Sequence, residues 1–300
     1  DPSVFGQPVV FTATIAPAPP GAGTPTGTVT FTIDGDVVPV LLDENGTATL
    51  TRAVLPAGTY SVTADYGGDT NFTASTGTDT HTVNQATTTT TVTSSPDPTP
   101  YGEPVLFTAV VAPVAPGAST PTGTVTFAIS GGPTLVASVD ASGTASVSTS
   151  ALPAGDYSVT ATYSGDANFT ASTGTDTHTV TRAATQTVLT SNPDPSVYGQ
   201  EVLFTAVVTP ISLGVGTPTG TVTFTDSSGA TITVPLDANG VATVPNSALT
   251  AGSYSGTAIY NGDANFAPSE GSDTHIVEPA ATTTTISSPP DPSVFCLLYT

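Results

Sequence analysis

The sequence predicts an all-β protein made of three β-sandwiches laid end to end. Three observations predict it. The stretch at residues 152–180, LPAGDYSVTATYSGDANFTASTGTDTHTV, recurs from Leu55 and from Leu249, in steps of 97 residues. A period of that size suits a domain with its own core, a bead in an array rather than a turn of a solenoid. Apolar residues alternate with polar ones in short runs, with turn signals every ~8–12 residues, and no segment has helical periodicity. Finally, eighteen of the twenty aromatic residues fall into six columns, one member per repeat: Phe5/Tyr101/Tyr198, Phe11/Phe107/Phe204, Phe31/Phe127/Phe224, Tyr60/Tyr157/Tyr254, Tyr66/Tyr163/Tyr260 and Phe72/Phe169/Phe266. Most lie on the apolar parity of their runs and read as core.

The second repeat justifies each element. Residues 86–93 (ATTTTTVT) form a first strand, which Pro96-Asp97-Pro98 breaks. Residues 103–112 (EPVLFTAVVA) form the second. Residues 113–121 are a Pro/Gly/Ala loop. In residues 123–129, Val125, Phe127 and Ile129 face one way and Thr124, Thr126 and Ala128 the other, as a half-buried strand requires. Gly131-Gly132 turns into a strand at 135–139. Asp140-Ala141-Ser142-Gly143 is a hairpin signal leading into 144–147. Tyr157, Val159, Ala161 and Tyr163 then share one face of a sixth strand. A turn at 164–168 leads to a short last strand at 177–181. Seven strands in this length match the immunoglobulin-like Greek-key sandwich, so the fold class is all-β: tandem seven-stranded immunoglobulin-like sandwiches forming an elongated rod. The domains are residues 1–85 (lacking the first strand), 86–182 and 183–279. Residues 280–300 hold the first strand of a further repeat and a non-repeat tail.

Composition excludes several functions. There are 23 acidic residues against two basic ones, Arg52 and Arg182, and a net charge of −21. Nucleic-acid binding and docking on anionic lipid need basic groups. No apolar run is long enough for a membrane span. Cys296 is the single cysteine, so no disulfide forms within a bead. Without lysine there is no Lys–Asn isopeptide bond either. Packing must supply the stability. The opening DPSVFG lies inside a repeat, so the chain reads as a window on a longer array. The lack of a signal peptide then says nothing about compartment.

The series YGEPVLFTAVV, TPTGTVTF and DASGTASVSTSALPAGDYSVTATYSGDANF resembles the bacterial immunoglobulin-like repeats of surface adhesins and secreted multidomain proteins, over essentially all of residues 1–290. The resemblance implies an extracellular or cell-surface stalk with no catalytic residues to carry over.

Tyr60, Tyr157 and Tyr254 each follow L-x-A-G-x and read as tyrosine corners, whose hydroxyl bonds to backbone a few residues upstream. His81, His178 and His275 read as cross-strand contacts or surface residues, and no Ser/His/Asp arrangement rises above chance. Asp69, Asp166 and Asp263 in G-D-x-N-F, Asp79, Asp176 and Asp273 before each histidine, and Asp97 and Asp194 in P-D-P are weak calcium candidates. Asp in turns more often bonds its own backbone, so no cofactor is expected. Asn45, Asn71 and Asn168 are candidate glycosylation sites in N-x-[ST]. The divergent loops at 17–25, 113–121 and 210–218 hold no aromatic residue, which disfavours sugar stacking.

The ends suggest a partner. Residues 281–288 repeat the first-strand sequence with no sandwich after it, while the first sandwich lacks that strand. Donation of this strand to the next subunit would make a head-to-tail filament. The functional expectation is a non-enzymatic extracellular stalk, spacer or surface fibre, with copies of itself or further domains of a surface protein as partners. The alternatives are an adhesin-type module recognising glycan or protein through its loops, or the spacer of a secreted enzyme.

Overall fold

The computed structural model describes residues 1–212 and 216–287. Cys296, Phe295, Tyr299 and the CLLYT tail lie outside these, as do Ser288 and Asp291. The chain forms two compact units. One spans Asp1–Thr181 and holds two sandwiches, beads 1 and 2; the other begins at Arg182 and holds bead 3.

Bead 1 contains β1 (Ser3–Val4), β2 (Val9–Thr14), β3 (Thr28–Ile33), β4 (Asp36–Leu41), β5 (Thr47–Arg52), β6 (Gly58–Tyr66) and β7 (Ser75–Asn84). Bead 2 contains β8 (Thr88–Ser95), β9 (Thr99–Pro100), β10 (Val105–Pro113), β11 (Thr124–Ile129), β12 (Thr134–Ser138), β13 (Thr144–Thr149), β14 (Gly155–Tyr163) and β15 (Ser172–Thr181). Bead 3 repeats this set as β16 (Thr185–Asn192), β17 (Ser196–Val197), β18 (Val202–Pro210), β19 (Thr221–Thr225), β20 (Thr231–Pro235), β21 (Val241–Asn246), β22 (Gly252–Tyr260) and β23 (Ser269–Glu278).

Each complete bead pairs a three-stranded sheet with a five-stranded one. In bead 2 the orders are β13-β10-β8 and β12-β11-β14-β15-β9; bead 3 follows suit. The Pro96-Asp97-Pro98 break thus carries the chain between sheets. β8 lies antiparallel to β10, and β9 runs parallel to β15 in the other sheet. In bead 1 the small sheet has, among the described residues, two strands, β2 and β5.

The bead 2 core is built from the inward parity of both sheets. Phe107, Ala109, Val125, Phe127, Val159, Ala161 and Tyr163 are fully buried. Each of the larger side chains contributes about 1.5–3 kcal/mol relative to exposure. In β14 the Val159-Ala161-Tyr163 face is the buried one. The last strand is longer than the five residues expected from sequence. It covers ten residues, pairing from Gly155↔Val180 to Tyr163↔Ser172. Its first half, S-T-G-T-D-T, lacks apolar residues because it meets β8 through hydroxyls and a bare glycine.

The aromatic columns are largely core, with one exception. Phe5 is buried, whereas Tyr198 is 57% exposed. Phe5 does not serve bead 1 alone. Its ring stands edge-on to Phe169 of bead 2, with centroids 5.2 Å apart.

Candidate functional site

Two places in the first unit stand out: the seam between beads 1 and 2, and the open side of bead 1.

The seam is a packed interface. Phe5 and Val83 of bead 1 belong to the same buried cluster as the bead 2 core, with Val4, Leu55 and Tyr60 packed on it. Just past the seam, within bead 2, the Ala86 amide donates to the Asn168 carbonyl and the Thr170 amide donates to the Ala86 carbonyl, as Ala183, Asn265 and Ala267 do in bead 3. The Asn168 side-chain oxygen accepts the Ala57 amide at 2.9 Å. Gln85 Nε2 donates to the Asp166 carbonyl at 2.8 Å. Gly6, at φ +91°, brings the backbone so close that a Cβ there would lie 2.3 Å from the Ala118 amide nitrogen. Asn168 is therefore a junction residue, while Asn45 and Asn71 sit in exposed turns.

The open side of bead 1 is a groove of about 710 Å³. Phe11, Ala13 and Ile15 form one wall, with Ser75, Gly77 and Asp79 of β7 on the other. In beads 2 and 3 the first strand lies here. Thr88 Oγ1 donates to the Thr170 carbonyl and to Ser172 Oγ, and Thr90 Oγ1 shares Ser172 Oγ at 2.7 Å. Thr185, Thr187 and Ser269 repeat the arrangement. Gly174 explains the fit: a Cβ there would lie 2.3 Å from the Thr90 carbonyl oxygen. At Gly271 the corresponding distance, to Thr187, is 2.5 Å. At Gly77 nothing stands within 4 Å. Bead 1 thus keeps the glycine and the serine of the socket, and among the described residues no strand fills it.

The segment that matches the socket is also bare. Residues 281–287 carry no strand pairing and are exposed throughout. Ile286 is 93% exposed, whereas its repeat equivalents Val92 and Leu189 are 7% and 5% exposed.

The histidines correct the sequence reading of Ser, His and Asp. In bead 3, His275 Nε2 lies 2.8 Å from Ser196 Oγ and its Nδ1 lies 3.2 Å from Asp194 Oδ1. Bead 1 repeats this with Ser3, His81 and Asp1. The order is that of a hydrolase triad; in bead 3 Ser196 and His275 are each 1% exposed, which denies a substrate access there, while Ser3 and His81 of bead 1 are half-buried and line the bead 1 groove. In bead 2 the serine is replaced by Thr99, whose hydroxyl donates to the Pro96 carbonyl. The aspartate oxygen also accepts a last-strand amide, from Thr82, Thr179 or Ile276. The group is a clasp that ties the P-D-P corner to the last strand. His178 and His275 are buried rather than on the surface, edge-on to Phe107 and Phe204.

Asp69, Asp79, Asp166, Asp176 and Asp263 hold the protein's own donors. Asp166 Oδ2 accepts the Thr122 amide and hydroxyl, while Oδ1 accepts the Asn168 and Phe169 amides. Asp69 and Asp263 repeat all four bonds. Asp176 Oδ2 accepts from Ser94 Oγ, and Asp79 accepts the Thr80 amide. Among the described residues no three His, Cys, Asp or Glu side chains gather as metal ligands.

These bonds set a pH dependence. At Asp69 the Thr26 amide leads in holding the carboxyl well below its usual value. At Asp166 and Asp263 burial pulls upward, but the threonine hydroxyl and the amides outweigh it. A carboxyl lowered by folding adds stability that is complete above its unfolded value near 4 and is lost as pH falls through its folded value. The melting temperature should therefore hold from pH 7 to about 5 and fall steeply below about 4. Asp166→Asn should flatten that fall for bead 2.

The corner tyrosines bond as their motif requires. Tyr60, Tyr157 and Tyr254 donate to the carbonyls of Pro56, Pro153 and Thr250 at 2.8, 2.7 and 2.8 Å. Tyr157→Phe should cost bead 2 about 1 kcal/mol, read by hydrogen exchange.

Comparison with known proteins places this geometry in context. The profile described as "Bacterial Ig-like domain (group 3)" matches residues 1–84, 92–181 and 189–278. Among solved structures, a 1.5-MDa bacterial ice-binding adhesin aligns at 21% identity over 92% of each chain, with a TM-score of 0.30. The Escherichia coli adhesin FdeC aligns at 16% identity over 92% of this chain and 94% of its own, TM-score 0.30. Domains A168–A170 of titin align at 14% identity over 92% and 96%, TM-score 0.35. A search of curated proteins finds no match.

Proposed function

Because the chain belongs to the bacterial Ig-like domain (group 3) family, we propose that it is a non-enzymatic repeat protein of the cell surface or extracellular space, a spacer, and that copies of the 300-residue chain join end to end by exchanging a strand. The observation that carries the reading is the bead 1 socket. It keeps Ser75 and Gly77 in the positions where beads 2 and 3 seat their first strands, and the chain's own 280–287 segment has the matching sequence with Ile286 bare. The occupant is that segment of a second copy. Transferring the bead 2 register gives the pairing: Thr284 opposite Ile15 and Ile286 opposite Ala13, as Thr90 meets Val111 and Val92 meets Ala109. Thr282 and Thr284 would then share Ser75 Oγ. Edge-to-edge addition supplies a full row of backbone hydrogen bonds, and alternate side chains give the specificity.

The packed seam fits the same role. A spacer transmits position only if its beads do not swing freely, and the shared Phe5–Phe169 contact opposes bending between beads 1 and 2. The acidic turns are saturated by internal donors, so the proposed function needs no cation, and a chelator should leave the melting temperature unchanged. The net charge of −21 keeps chains apart except where the strand and socket meet.

Sedimentation velocity tests the reading. The 300-residue chain should form a ladder of assemblies that grows with concentration, and a chain ending at residue 279 should sediment as a monomer. A monomeric full chain, or assemblies that survive the truncation, would overturn it.

A further inference from the structure

Bead 3 lacks two core side chains that the other beads have. Gly256 stands where bead 1 has Val62 and bead 2 has Val159, both buried. Asp226 stands where they have Ile33 and Ile129, also buried. The volume is not recovered by repacking. A cleft of about 270 Å³ opens between the sheets, with Leu189, Phe204, Phe224, Val244 and Leu249 as its apolar wall. Phe204 and Leu249 are half-exposed there, whereas their equivalents Phe107 and Leu152 are sealed in bead 2.

The cleft also holds one polar group out of balance. Asp273 lines it, and its Oδ2 is buried without a hydrogen-bond partner among the described residues. In bead 2 the equivalent Asp176 Oδ2 accepts from Ser94 Oγ at 3.0 Å. In bead 3 the corresponding Ser191 Oγ is turned away, 3.2 Å from His275 Nδ1. A carboxylate oxygen has acceptor capacity only, so what completes it must be a donor. At the mouth, Asp226 adds negative charge while its Oδ1 accepts the Ser228 and Ala230 amides.

We propose that the bead 3 cleft is a binding site for a small apolar amine, with its hydrocarbon part against Phe204, Phe224 and Leu249 and its ammonium donating to Asp273 Oδ2. An apolar cavity of ~150 Å³ accepts benzene, so the larger cleft has room for one ring and a short amine arm. An acid of the same shape would place two anions together, and a neutral ring would leave Asp273 unanswered. The site is independent of strand exchange, since none of its walls belongs to bead 1.

The test uses 2-phenylethylamine on the full chain, followed by methyl NMR. Shifts should appear at Leu189, Ile232, Val244 and Leu249 and saturate with a Kd on the order of 1 mM or below. Asp273→Asn should weaken binding about tenfold, the cost of one charge-assisted bond. Gly256→Val fills the cleft and should abolish the shifts while bead 3 stays folded. Ethylbenzene binding as tightly as the amine, or Asp273→Asn binding unchanged, would overturn the amine assignment. Unshifted methyls, or full binding by Gly256→Val, would overturn the site.

Discussion

Alanine at Gly174 should destabilise bead 2 by about 3 kcal/mol, whereas alanine at Gly77 should change bead 1 by less than about 0.5 kcal/mol. The two glycines occupy one repeat position, and the difference lies in what faces them. The new methyl at Gly174 would lie 2.3 Å from the Thr90 carbonyl oxygen and 2.9 Å from its carbon. Those atoms are backbone, so the clash cannot be relieved by a side-chain rotation. β8 would have to move outward, straining its ladder with β10 and the threonine bonds to Ser172. Gly271→Ala should behave alike, with the Thr187 oxygen at 2.5 Å. Gly77 faces open space and carries no left-handed φ, so alanine there meets neither clash nor strain. Hydrogen exchange resolved by bead is the measurement, because a chain of several beads need not unfold in one step. Protection of the β8 amides should collapse in Gly174→Ala, and protection in bead 1 should be unaltered in Gly77→Ala. Equal losses at the two sites would mean that the glycine serves the last strand itself and not a neighbour.

Valine at Gly256 should stabilise bead 3 by about 1–2 kcal/mol. Cavity filling usually fails because the added atoms have nowhere to go. Here the space is present: a Cβ would rest 3.6 Å from the Thr225 carbonyl oxygen and 3.8 Å from Leu189 Cδ2, ordinary contact distances. The larger side chain also has a precedent within the chain, since Val159 is fully buried at the same position of bead 2. Removing a glycine from mid-strand adds to the gain. Bead 3 should exchange its core amides more slowly in the variant, with beads 1 and 2 as internal references. A loss of stability would mean that the sheets of bead 3 have closed elsewhere to use the space.

Much of the fold was legible because it is written as alternation. Val125, Phe127 and Ile129, or Tyr157, Val159 and Ala161, announce a buried face with no knowledge of the partner strand. The tyrosine corners were equally local, since donor and acceptor lie four residues apart. What escaped depends on contacts between distant residues of polar character. The P-D-P segment reads as a break, but its aspartate reaches His178 at 3.2 Å across to the last strand. The last strand was underestimated because S-T-G-T-D shows no alternation of apolar and polar residues; its glycine is there for a strand 84 residues earlier in sequence, Thr90 against Gly174. Bead 3 held a readable signal that alternation hides. Aligning the repeats column by column sets Gly256 against Val62 and Val159, and Asp226 against Ile33 and Ile129, and so marks a core with missing volume.

The proposed exchange of strands between copies of the 300-residue chain rests on two halves that can be disabled separately. Gly77→Val should block the socket with its own side chain while leaving the donor segment intact. A chain ending at residue 279 lacks the donor and keeps the socket. Each alone should sediment as a monomer. Mixed in equal amounts, they should form a dimer that grows no further, joining the 280–287 segment of the first to bead 1 of the second. Absence of that dimer in the mixture, or continued growth of Gly77→Val on its own, would contradict the account.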